Sequence, residues 1–390
     1  MVNGGSEARH EYGPFYPPAS LGVIGGGQLG RMFLQAAQRM GYNTGVLSAT
    51  EDAPAAQVAH WKVVAPPDRF SAIKSFADQA DAVTVEFENV SAPALRWLAR
   101  RRPVRPGWRT VWVSQNRLRE KTFLAKNGFS HAPWRPVRTE AELAEAVHSL
   151  GTPLILKTAA SGYDGKGQVR VDDPSRAAAA WAHLGRVACV AEGWVTFAAE
   201  VSVIVARGHD GQALTYPVGL NRHERHILDA TVMPAPVGPA VANDARALSL
   251  SIAQALGTVG VLTVEFFLTA DGDLIVNEIA PRPHNSGHLT IEAAVSSQFE
   301  QQVRALCGLP LGATNLTTPA AMVNLLGDLW ANGEPNWPAA LASDPGVKLH
   351  LYGKRKAAPG RKMGHLTVLD PVPETALARA LAARGMLTKV

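Results

Sequence analysis

Residues 21–24 form a short apolar run that ends at a glycine-rich turn, and apolar positions at helical spacing follow directly. These positions, which Gly41 terminates, are Leu29, Met32, Phe33, Ala36, Ala37 and Met40. A further apolar run at 44–47 predicts a second strand. The order strand, glycine turn, helix, strand indicates a parallel α/β domain, which continues through a strand at 82–87 and a helix at 92–101.

Beyond this region the strands come in sequence-adjacent pairs. After a helix near 115–126, β-rich runs are predicted at 154–157, 169–171, 187–192, 201–206, 262–269 and 274–279. Turns that contain Gly or Asp separate several neighbours, which favours antiparallel sheets. Past residue 312 the pattern predicts strands at 348–352 and 363–368 and a helix at 374–384.

The patterns therefore predict a mixed fold, α/β followed by α+β, in three domains. A Rossmann-like parallel domain spans 21–114, a domain of antiparallel sheets spans 115–311, and a small β-rich C-terminal domain spans 312–390. Residues 1–20 are polar, rich in Gly and Pro and without an apolar core. We expect them to form a flexible leader and not an export signal.

Composition narrows the class of protein. The hydrophobic fraction is 46% and the charged fraction 18%, and no apolar run reaches the roughly 18–20 residues that span a bilayer. Cys189 and Cys307 lack C-x-x-C spacing, which favours a reducing compartment, so we expect the cytoplasm. The formal charge is +5, but the densest basic cluster, which includes Lys354 and Arg361, is short. We therefore expect an anionic small substrate, and neither nucleic acid nor a membrane as a partner.

The first glycine turn, Gly25-x-Gly27-x-x-Gly30, matches the dinucleotide fingerprint and has a strand and a helix on the proper sides. Backbone N–H groups at such a helix start bind an anion. The acidic residue expected about twenty positions later is poorly matched, with Glu51 the nearest candidate. NAD(P) binding, binding of another anion, and a purely structural turn all stay open.

Two carboxylates indicate a metal site. Asp271-Gly272 lies between two β-rich runs, which predicts a hairpin that places Glu265 opposite Glu278. The same register places Phe267 opposite Val276 and Leu268 opposite Ile275. Like charges directly opposite repel, and a shared Mg²⁺ with phosphate oxygens would remove that cost. Asn277 points to the other face unless a bulge turns it; a partly solvated pair at a sheet edge is the alternative.

A glycine-rich loop follows a strand that ends in Lys157. The loop at 161–168 reads SGYDGKGQ, so its backbone amides can approach phosphate oxygens closely. It is not a Walker A loop, because Gly167 follows Lys166 and strands flank it on both sides. ATP would therefore lie between sheets; the alternative is a flexible hairpin tip. The segment 192–195, EGWV, ends another strand and suits a purine ring.

Four stretches carry a resemblance to a known family: GGGQLGRM, SGYDGKGQ, NEIAPRPHNSGH, and LYGK with PGRKMGH. From about residue 21 to the C-terminus, the chain resembles the 5-(carboxyamino)imidazole ribonucleotide synthase family of ATP-grasp enzymes. The resemblance implies an ATP-grasp fold and a ligase of purine biosynthesis. ATP would phosphorylate bicarbonate to carboxyphosphate, and the CO₂ equivalent would carboxylate the amine of aminoimidazole ribonucleotide, with release of ADP and phosphate.

The resemblance also implies residue roles. The ATP site would comprise Arg117, Lys157, Ser161, Gly162, Tyr163, Asp164, Gly165, Lys166, Gly167, Gln168, Glu192, Gly193, Trp194, Val195, Glu200, His223, Asn277 and Glu278. Mg²⁺ would lie between Glu265 and Glu278. Substrate would contact Gln28, Leu29, Glu86, His284, Asn285, Ser286, His288, Lys354 and Arg361. The catalytic groups would be Lys157, Tyr163, Asp164, Lys166, His284 and Asn285.

Three positions depart from the family pattern. Ser161 stands where the family usually has Gly, Gly193 where a longer polar side chain is common, and Leu289 where an aromatic residue is usual. The first two concern ATP affinity and the third substrate packing. None removes a charged group from the proposed site.

The main reading competes with three others. A formate-dependent glycinamide ribonucleotide transformylase would share the ATP and Mg²⁺ chemistry, and an NAD(P)-dependent dehydrogenase would use the glycine turn. A catalytically inactive nucleotide-binding regulator is disfavoured by the retained carboxylates and phosphate-reaching cations. From the resemblance we also expect a homodimer.

Overall fold

The computed structural model describes residues 13–162 and 165–388. Its N-terminal part contains β1 (Ser20–Ile24), α1 (Gln28–Arg39), β2 (Asn43–Ser48), β3 (Trp61–Val64), α2 (Phe70–Ala77), β4 (Ala82–Val85), α3 (Ala92–Leu98) and α4 (Trp108–Ser114). The four strands pair in parallel in the order β3-β2-β1-β4. Helix α1 covers one face of this sheet, and α2 and α3 cover the other. The predicted parallel α/β domain is confirmed.

A small antiparallel sheet follows. Its elements are α5 (Arg117–Lys126), β5 (Trp134–Val137), α6 (Glu140–Leu150), β6 (Leu154–Thr158), β7 (Gln168–Val171), α7 (Ala177–His183) and β8 (Cys189–Gly193). The strand order is β5-β8-β6-β7, and every pairing is antiparallel. Helix α5 begins where Asn116 accepts hydrogen bonds from the amides of Leu118 and Arg119, which caps the helix. This cap fixes the position of Arg117, the first residue of the helix.

The remaining strands form one large sheet. They are β9 (Ala199–Arg207), β10 (Ala213–Thr215), β11 (Gly219–Glu224), β12 (Ile227–Met233), β13 (Gly260–Leu268), β14 (Leu274–Ala280), β15 (Ala320–Leu326), β16 (Lys348–Leu351) and β17 (Lys362–Leu369). The order is β14-β13-β9-β11-β12-β15-β17-β16, with β10 paired to β9. The strands of the predicted C-terminal domain thus continue the sheet of the middle domain.

Helices cover much of this sheet. They are α8 (Pro239–Leu256), α9 (Thr290–Ala293), α10 (Gln298–Cys307), α11 (Trp337–Ser343) and α12 (Pro373–Met386). Helix α8 packs its buried Ile252 and Ala253 against Val203 and Val264 on one face of the sheet. On the opposite face Ile204 of β9 packs with Leu289, and strand alternation places Glu200 and Glu265 on that same face. Within the described ranges, no helix combines the length and apolar character that crossing a bilayer requires.

The β13–β14 hairpin has the predicted central register with a shift toward the turn. Glu265 pairs with Glu278, as expected, but Phe267 pairs with Ile275 and Leu268 with Leu274. The expected partners Val276 and Ile275 were therefore wrong by one position. A bulge between Glu265 and Phe266 absorbs one residue of β14, which keeps the two glutamates opposite each other.

Part of the expected leader is ordered against the core. The amide of Phe15 donates to Cys307 O (2.8 Å), and Tyr42 Oη donates to Phe15 O (2.7 Å). Phe15 and Ala19 also pack on the cluster around α1. Residues 13–19, part of the predicted flexible leader, therefore contact the core, whereas residues 1–12 lie outside the described part.

Candidate active site

Glu265 and Glu278 share one face of the large sheet because they are paired residues of neighbouring antiparallel strands. Glu265 Oε1 lies 2.8 Å from His284 Nε2, and Glu278 Oε2 lies 3.2 Å from Arg117 Nη1. Burial opposes ionisation of Glu265, but the charge and hydrogen bond of His284 outweigh it, so its pKa is lowered. We call the surface around Glu200, His223, Glu265 and Glu278 the cleft face.

At the carboxylate pair the protein supplies only part of the coordination shell that a magnesium ion needs. Among residues 13–162 and 165–388, no cluster of three or more His, Cys, Asp or Glu side chains could hold a metal. Two carboxylates on one face supply the hard oxygen donors that Mg²⁺ prefers, and phosphate oxygens and waters would complete its shell. The residues present therefore fit an ion that arrives together with a phosphorylated ligand.

Lys157 enters the cleft from β6 and is held by Glu192 of β8. Its Nζ lies 2.6 Å from Glu192 Oε2, and both side chains are buried. Burial lowers the pKa of Lys157, although the Glu192 charge acts in the opposite direction. The carboxylate of Glu192 is engaged by Lys157 and Lys121, and its expected role at the adenine or ribose of ATP stays a prediction.

The glycine loop folds over the cleft. Ser161 has φ +64°, and Gly165 and Gly167 both have φ +75°. A Cβ at Gly165 would meet His226 Cβ at 2.5 Å, so the loop lies directly on the turn between β11 and β12. Lys166 is exposed, and Gln168 begins β7. Tyr163 and Asp164 lie outside the described residues, so their predicted catalytic roles stay predictions.

The residues predicted for the adenine and ribose lie on two different sheets: Glu200 and His223 on the large sheet, and Gly193 at the end of the small one, followed by Trp194 and Val195. Glu200 Oε1 lies 3.1 Å from His223 Nδ1. Burial lowers the pKa of His223, but the hydrogen bond and charge of Glu200 have the larger effect, so this pKa is raised overall. The exposed Trp194 carries the guanidinium of Arg170 over its ring, with Cζ 4.2 Å from the centroid. Val195 is half-buried beside it, and Gly193 donates its amide to Pro133 O (2.8 Å).

The loop after β14 carries one half-buried group, His284, and three buried ones. His284 reaches Glu265, and its Nδ1 lies 2.9 Å from Ser286 Oγ. Asn285 exchanges side-chain hydrogen bonds with Asn324 (3.1 and 2.8 Å), and Ser286 accepts from Ser202 (3.0 Å).

His288 is fully buried against Tyr352 and His365, and burial lowers its pKa well below the usual range. All four residues of this loop were expected to face the substrate. In the structure Ser286 contacts His284, whereas Asn285 pairs with Asn324 and His288 contacts Gln298; the substrate roles of these residues stay predictions.

The backbone amides of the glycine turn already bind a side-chain carboxylate of the same chain, that of Glu86. The amides of Gly27 and Gly30 donate to the two carboxylate oxygens of Glu86, the latter at 2.9 Å. A Cβ at Gly25 or Gly27 would collide with Glu86. Burial raises the pKa of Glu86 against the opposing effect of these amides. Because a carboxylate occupies the helix start, a dinucleotide pyrophosphate has no room there, which removes the basis for the dehydrogenase reading.

The C-terminal basic loop reaches this turn. Gln57 Nε2 donates to Gly353 O (2.8 Å), and Arg355 Nε lies 3.2 Å from Asp52 Oδ2, so the loop is tied to the N-terminal domain. Lys354 is half-buried, and its charge acts on Glu86. Arg361 is exposed, and its Nη1 donates to Lys356 O (2.8 Å).

Two small pockets connect these pieces. One is lined by Arg117, Glu120, Ser161, Gly162 and Glu278, together with Glu88, so the helix start, the glycine loop and the hairpin meet there. The other is lined by Leu29, Glu86, Pro283 and Gln302, among others, which places the glycine turn next to the loop that carries His284. Gln28, the first residue of α1, lies beside Leu29 at this edge.

Sequence reasoning missed three charged residues of the site. Lys121 lies four positions after Arg117, a spacing that places both on one helix face. Glu120 lines the first pocket and accepts a hydrogen bond from Ile279 N (3.1 Å). Arg282 stands inside the NEIAPRPHNSGH stretch, and its Nε lies 2.8 Å from Glu88 Oε2. The helical spacing and that stretch were signals that could have identified Lys121 and Arg282.

Comparisons with known proteins agree with this architecture. Residues 19–115 match the model of the ribonucleotide synthetase preATP-grasp domain, and residues 122–299 match the ATP-grasp domain. Residues 320–379 match the phosphoribosylaminoimidazole carboxylase C-terminal domain. The chain is 43% identical to N5-carboxyaminoimidazole ribonucleotide synthase of Bacillus subtilis over 354 residues, which cover 91% of this chain and 92% of the relative.

Solved structures give the same result. The Staphylococcus aureus N5-carboxyaminoimidazole synthetase complexed with ADP is 37% identical, with a TM-score of 0.89 over 96% of this chain and 99% of that one. The Aspergillus clavatus synthase in complex with ADP and 5-aminoimidazole ribonucleotide is 32% identical, with a TM-score of 0.88 over 96% and 100% of the two chains. The protein has the ATP-grasp fold, and the chain belongs to the N5-carboxyaminoimidazole ribonucleotide synthase family.

Proposed function

We propose that this protein uses ATP to carboxylate 5-aminoimidazole ribonucleotide with bicarbonate, giving the N5-carboxyamino product, ADP and phosphate. The observation that carries the proposal is family membership at 43% identity over 91% of the chain. It favours this ligase over formate-dependent transformylation and over NAD(P)-dependent dehydrogenation. The charged groups that the chemistry needs are also retained around one cleft.

The ATP phosphates would be held by Arg117 and Lys157 beneath the glycine loop. Arg117 and Lys157 bring positive charge from opposite sides of the cleft, and phosphoryl transfer depends mostly on such positioning and electrostatics. The loop lies on the β11–β12 turn, where it would exclude water from the site. Carboxyphosphate needs such exclusion because it hydrolyses readily. Glu200 with His223, and the backbone of 192–195, are our proposal for the ribose and the adenine.

Glu265 and Glu278 would hold Mg²⁺, which would offset the negative charge of the nucleotide phosphates. Before nucleotide binds, His284 Nε2 and Arg117 Nη1 contact the two carboxylates, so neither is buried without a partner. The imidazole of His284 contacts Glu265 and would be available to the substrate once that contact opens. That imidazole could then accept a hydrogen bond or a proton from the amine of the substrate.

The ribonucleotide would bind between the glycine turn and the C-terminal basic loop. Lys354 suits a phosphate monoester because its ammonium is a compact charge, and Arg361 on the same loop could add a planar fork on closure. Glu86 is fixed by two backbone amides and would present its remaining acceptor capacity to a ribose hydroxyl. A cytoplasmic location and a homodimer belong to the same proposal.

The test is an ADP-release assay on the purified protein with 5-aminoimidazole ribonucleotide. We expect ATP consumption that requires both the ribonucleotide and bicarbonate, with labelled bicarbonate recovered in an acid-labile product. Formate should not replace bicarbonate. Equal rates with formate and glycinamide ribonucleotide would reject the proposal in favour of the transformylase.

A further inference from the structure

Lys121 is a fully buried cation that lies behind the proposed ATP site. Its side chain is 1% exposed, and its Nζ lies 3.1 Å from Glu192 Oε1. The same Nζ donates to Asn277 O (3.3 Å), beside Glu278. Lys121 therefore stands on α5 and joins the small sheet, through Glu192 on β8, to the hairpin of the large sheet.

Glu192 is shared by two lysines. Lys157 contacts Oε2 at 2.6 Å, and Lys121 contacts Oε1 at 3.1 Å. Burial disfavours the ionised carboxylate, but the charges of Lys121 and Lys157 reverse this effect and lower the pKa of Glu192. One buried anion thus has two buried cations.

The two lysines differ in what else they can reach. Lys157 is the more exposed of the two side chains, 11% against 1%, and it ends the strand that leads into the glycine loop. If Lys157 moves to a phosphate, it must leave Glu192 at least partly. A buried carboxylate without a partner is strongly unfavourable, so a second cation is needed for that movement.

We propose that Lys121 is a positioning residue for nucleotide binding. Its ammonium keeps Glu192 paired and fixed, which releases the Lys157 amine for the phosphates and holds the 192–195 backbone in place for the base. Lys121 touches neither substrate nor nucleotide and acts through Glu192. The inference rests on the proposed function because it places a nucleotide at Lys157.

The test is a double-mutant cycle read by ADP affinity and by steady-state kinetics. The variants are Lys121→Met, Glu192→Gln and the two combined, with Lys121→Arg as the conservative rescue. Lys126→Met is the matched control, because Lys126 is exposed in the last turn of the same helix. Thermal unfolding of each variant shows whether it is folded.

We expect Lys121→Met to weaken ADP binding and to raise the KM for ATP by roughly tenfold or more, since Lys157 becomes the sole partner of a buried carboxylate. The KM for the ribonucleotide should stay within about twofold, and Lys121→Arg should recover most of the affinity. The double variant should bind ADP more tightly than Lys121→Met alone, because Lys157 is then free. Lys126→Met should match the wild type.

Two results would overturn the inference. One is ADP affinity unchanged in Lys121→Met; the other is a double variant whose loss equals or exceeds the product of the single losses, which would indicate a purely structural lysine. If Lys121→Met does not fold, Lys121→Gln with and without Glu192→Gln gives the same comparison. A protein that binds ADP but shows no bicarbonate-dependent turnover would reject the proposed function. The ADP affinities of the double-mutant cycle would still decide whether Lys121 is a positioning residue.

Discussion

At the scale of single residues, the loop that covers the cleft begins with a strained position. Ser161 has φ +64°, a conformation in which a Cβ is unfavourable and glycine is preferred. The sequence departure noted at Ser161 therefore has a structural cost. A serine thus occupies a backbone conformation that glycine would adopt at lower cost.

We predict that Ser161→Gly relieves this strain and tightens closure of the loop. The variant should lower the KM for ATP modestly, because about 1 kcal/mol of local strain no longer opposes the closed conformation. Ser161→Ala is the matched control, since it keeps the Cβ and should bring no gain. Kinetics of the three proteins decide the point, and equal gains for Gly and Ala would contradict the strain argument.

Lys354 supports a second prediction at this scale. Lys354→Ala should raise the KM for the ribonucleotide by roughly tenfold or more, because a charge-assisted hydrogen bond contributes about 1.5–3 kcal/mol. The KM for ATP should change little. Lys356→Ala, an exposed neighbour on the same loop, is the control. If the two Michaelis constants of Lys354→Ala rose together, the phosphate role would be wrong.

At the scale of elements, the glycine loop and the β11–β12 turn form one contact. Arg225 and His226 both have positive φ, at 50° and 66°, and Gly165 packs against His226. The turn thus presents a side chain to the loop from the cleft face. Position 165 therefore requires a glycine for two reasons. Its φ is positive, and a Cβ there would have no space beside His226.

We predict that Gly165→Ala opens the loop and raises the KM for ATP, because the new Cβ collides with His226. Gly128→Ala separates strain from collision, since Gly128 has φ +71° but no neighbour within 4 Å of a Cβ. Adding His226→Gly to Gly165→Ala should recover much of the ATP affinity. No recovery in the double variant would show that the contact does not hold the loop.

Elements with a strong local signal were predictable, and elements decided by distant contacts were not. The Asp271-Gly272 turn sufficed to predict the Glu265–Glu278 pair, whereas the bulge that shifts the remaining register has no local signature. The β11–β12 hairpin was not predicted because its turn, Arg225-His226, contains no Gly, Asn or Asp.

Helix α8 was also missed, since Ala245 and Ser249 on its buried face give little apolar contrast. The candidate site shows the same division. The predicted site residues stand in contiguous motifs, while Lys121 was not singled out, because its partner Glu192 is brought to it only by the fold.

At the scale of the whole molecule, polar contacts between domains hold the cleft together. Arg105 of the N-terminal domain donates to the carbonyls of Ala305 and Leu306 at the end of α10, the latter at 2.9 Å. Gln302 on the same helix donates to Thr84 Oγ1 (2.8 Å). Cations at a helix C-terminus are favourable, so these contacts fix the parallel sheet against the large sheet.

Glu120 makes overall stability depend on pH. Burial, and then the charge of Glu278, raise its pKa from 4.5 to about 8. For a group whose pKa is higher in the folded than in the unfolded state, the stabilising contribution is fully present at a pH below the unfolded-state pKa. It is lost as the pH rises through the folded-state pKa. We therefore predict that Glu120→Gln is close to wild type in its free energy of unfolding at pH 4.5 and relatively more stable at pH 9.

Chemical denaturation at the two pH values measures this difference. Exposed Glu145→Gln on α6 is the control and should show no pH-dependent gain. A free-energy difference between Glu120→Gln and wild type that is the same at both pH values would show that Glu120 is not held protonated.

The most direct test of the central claim, that the Glu265–Glu278 pair supports ATP-dependent carboxylation, is the turnover rate of Glu278→Gln. With ATP, Mg²⁺, bicarbonate and 5-aminoimidazole ribonucleotide, we predict a loss of roughly a hundredfold or more in kcat, since preorganised charge around the phosphates is removed. The melting temperature should stay near that of the wild type, and the exposed control Glu374→Gln should be fully active. A folded Glu278→Gln enzyme with a kcat within about twofold of wild type would contradict the account.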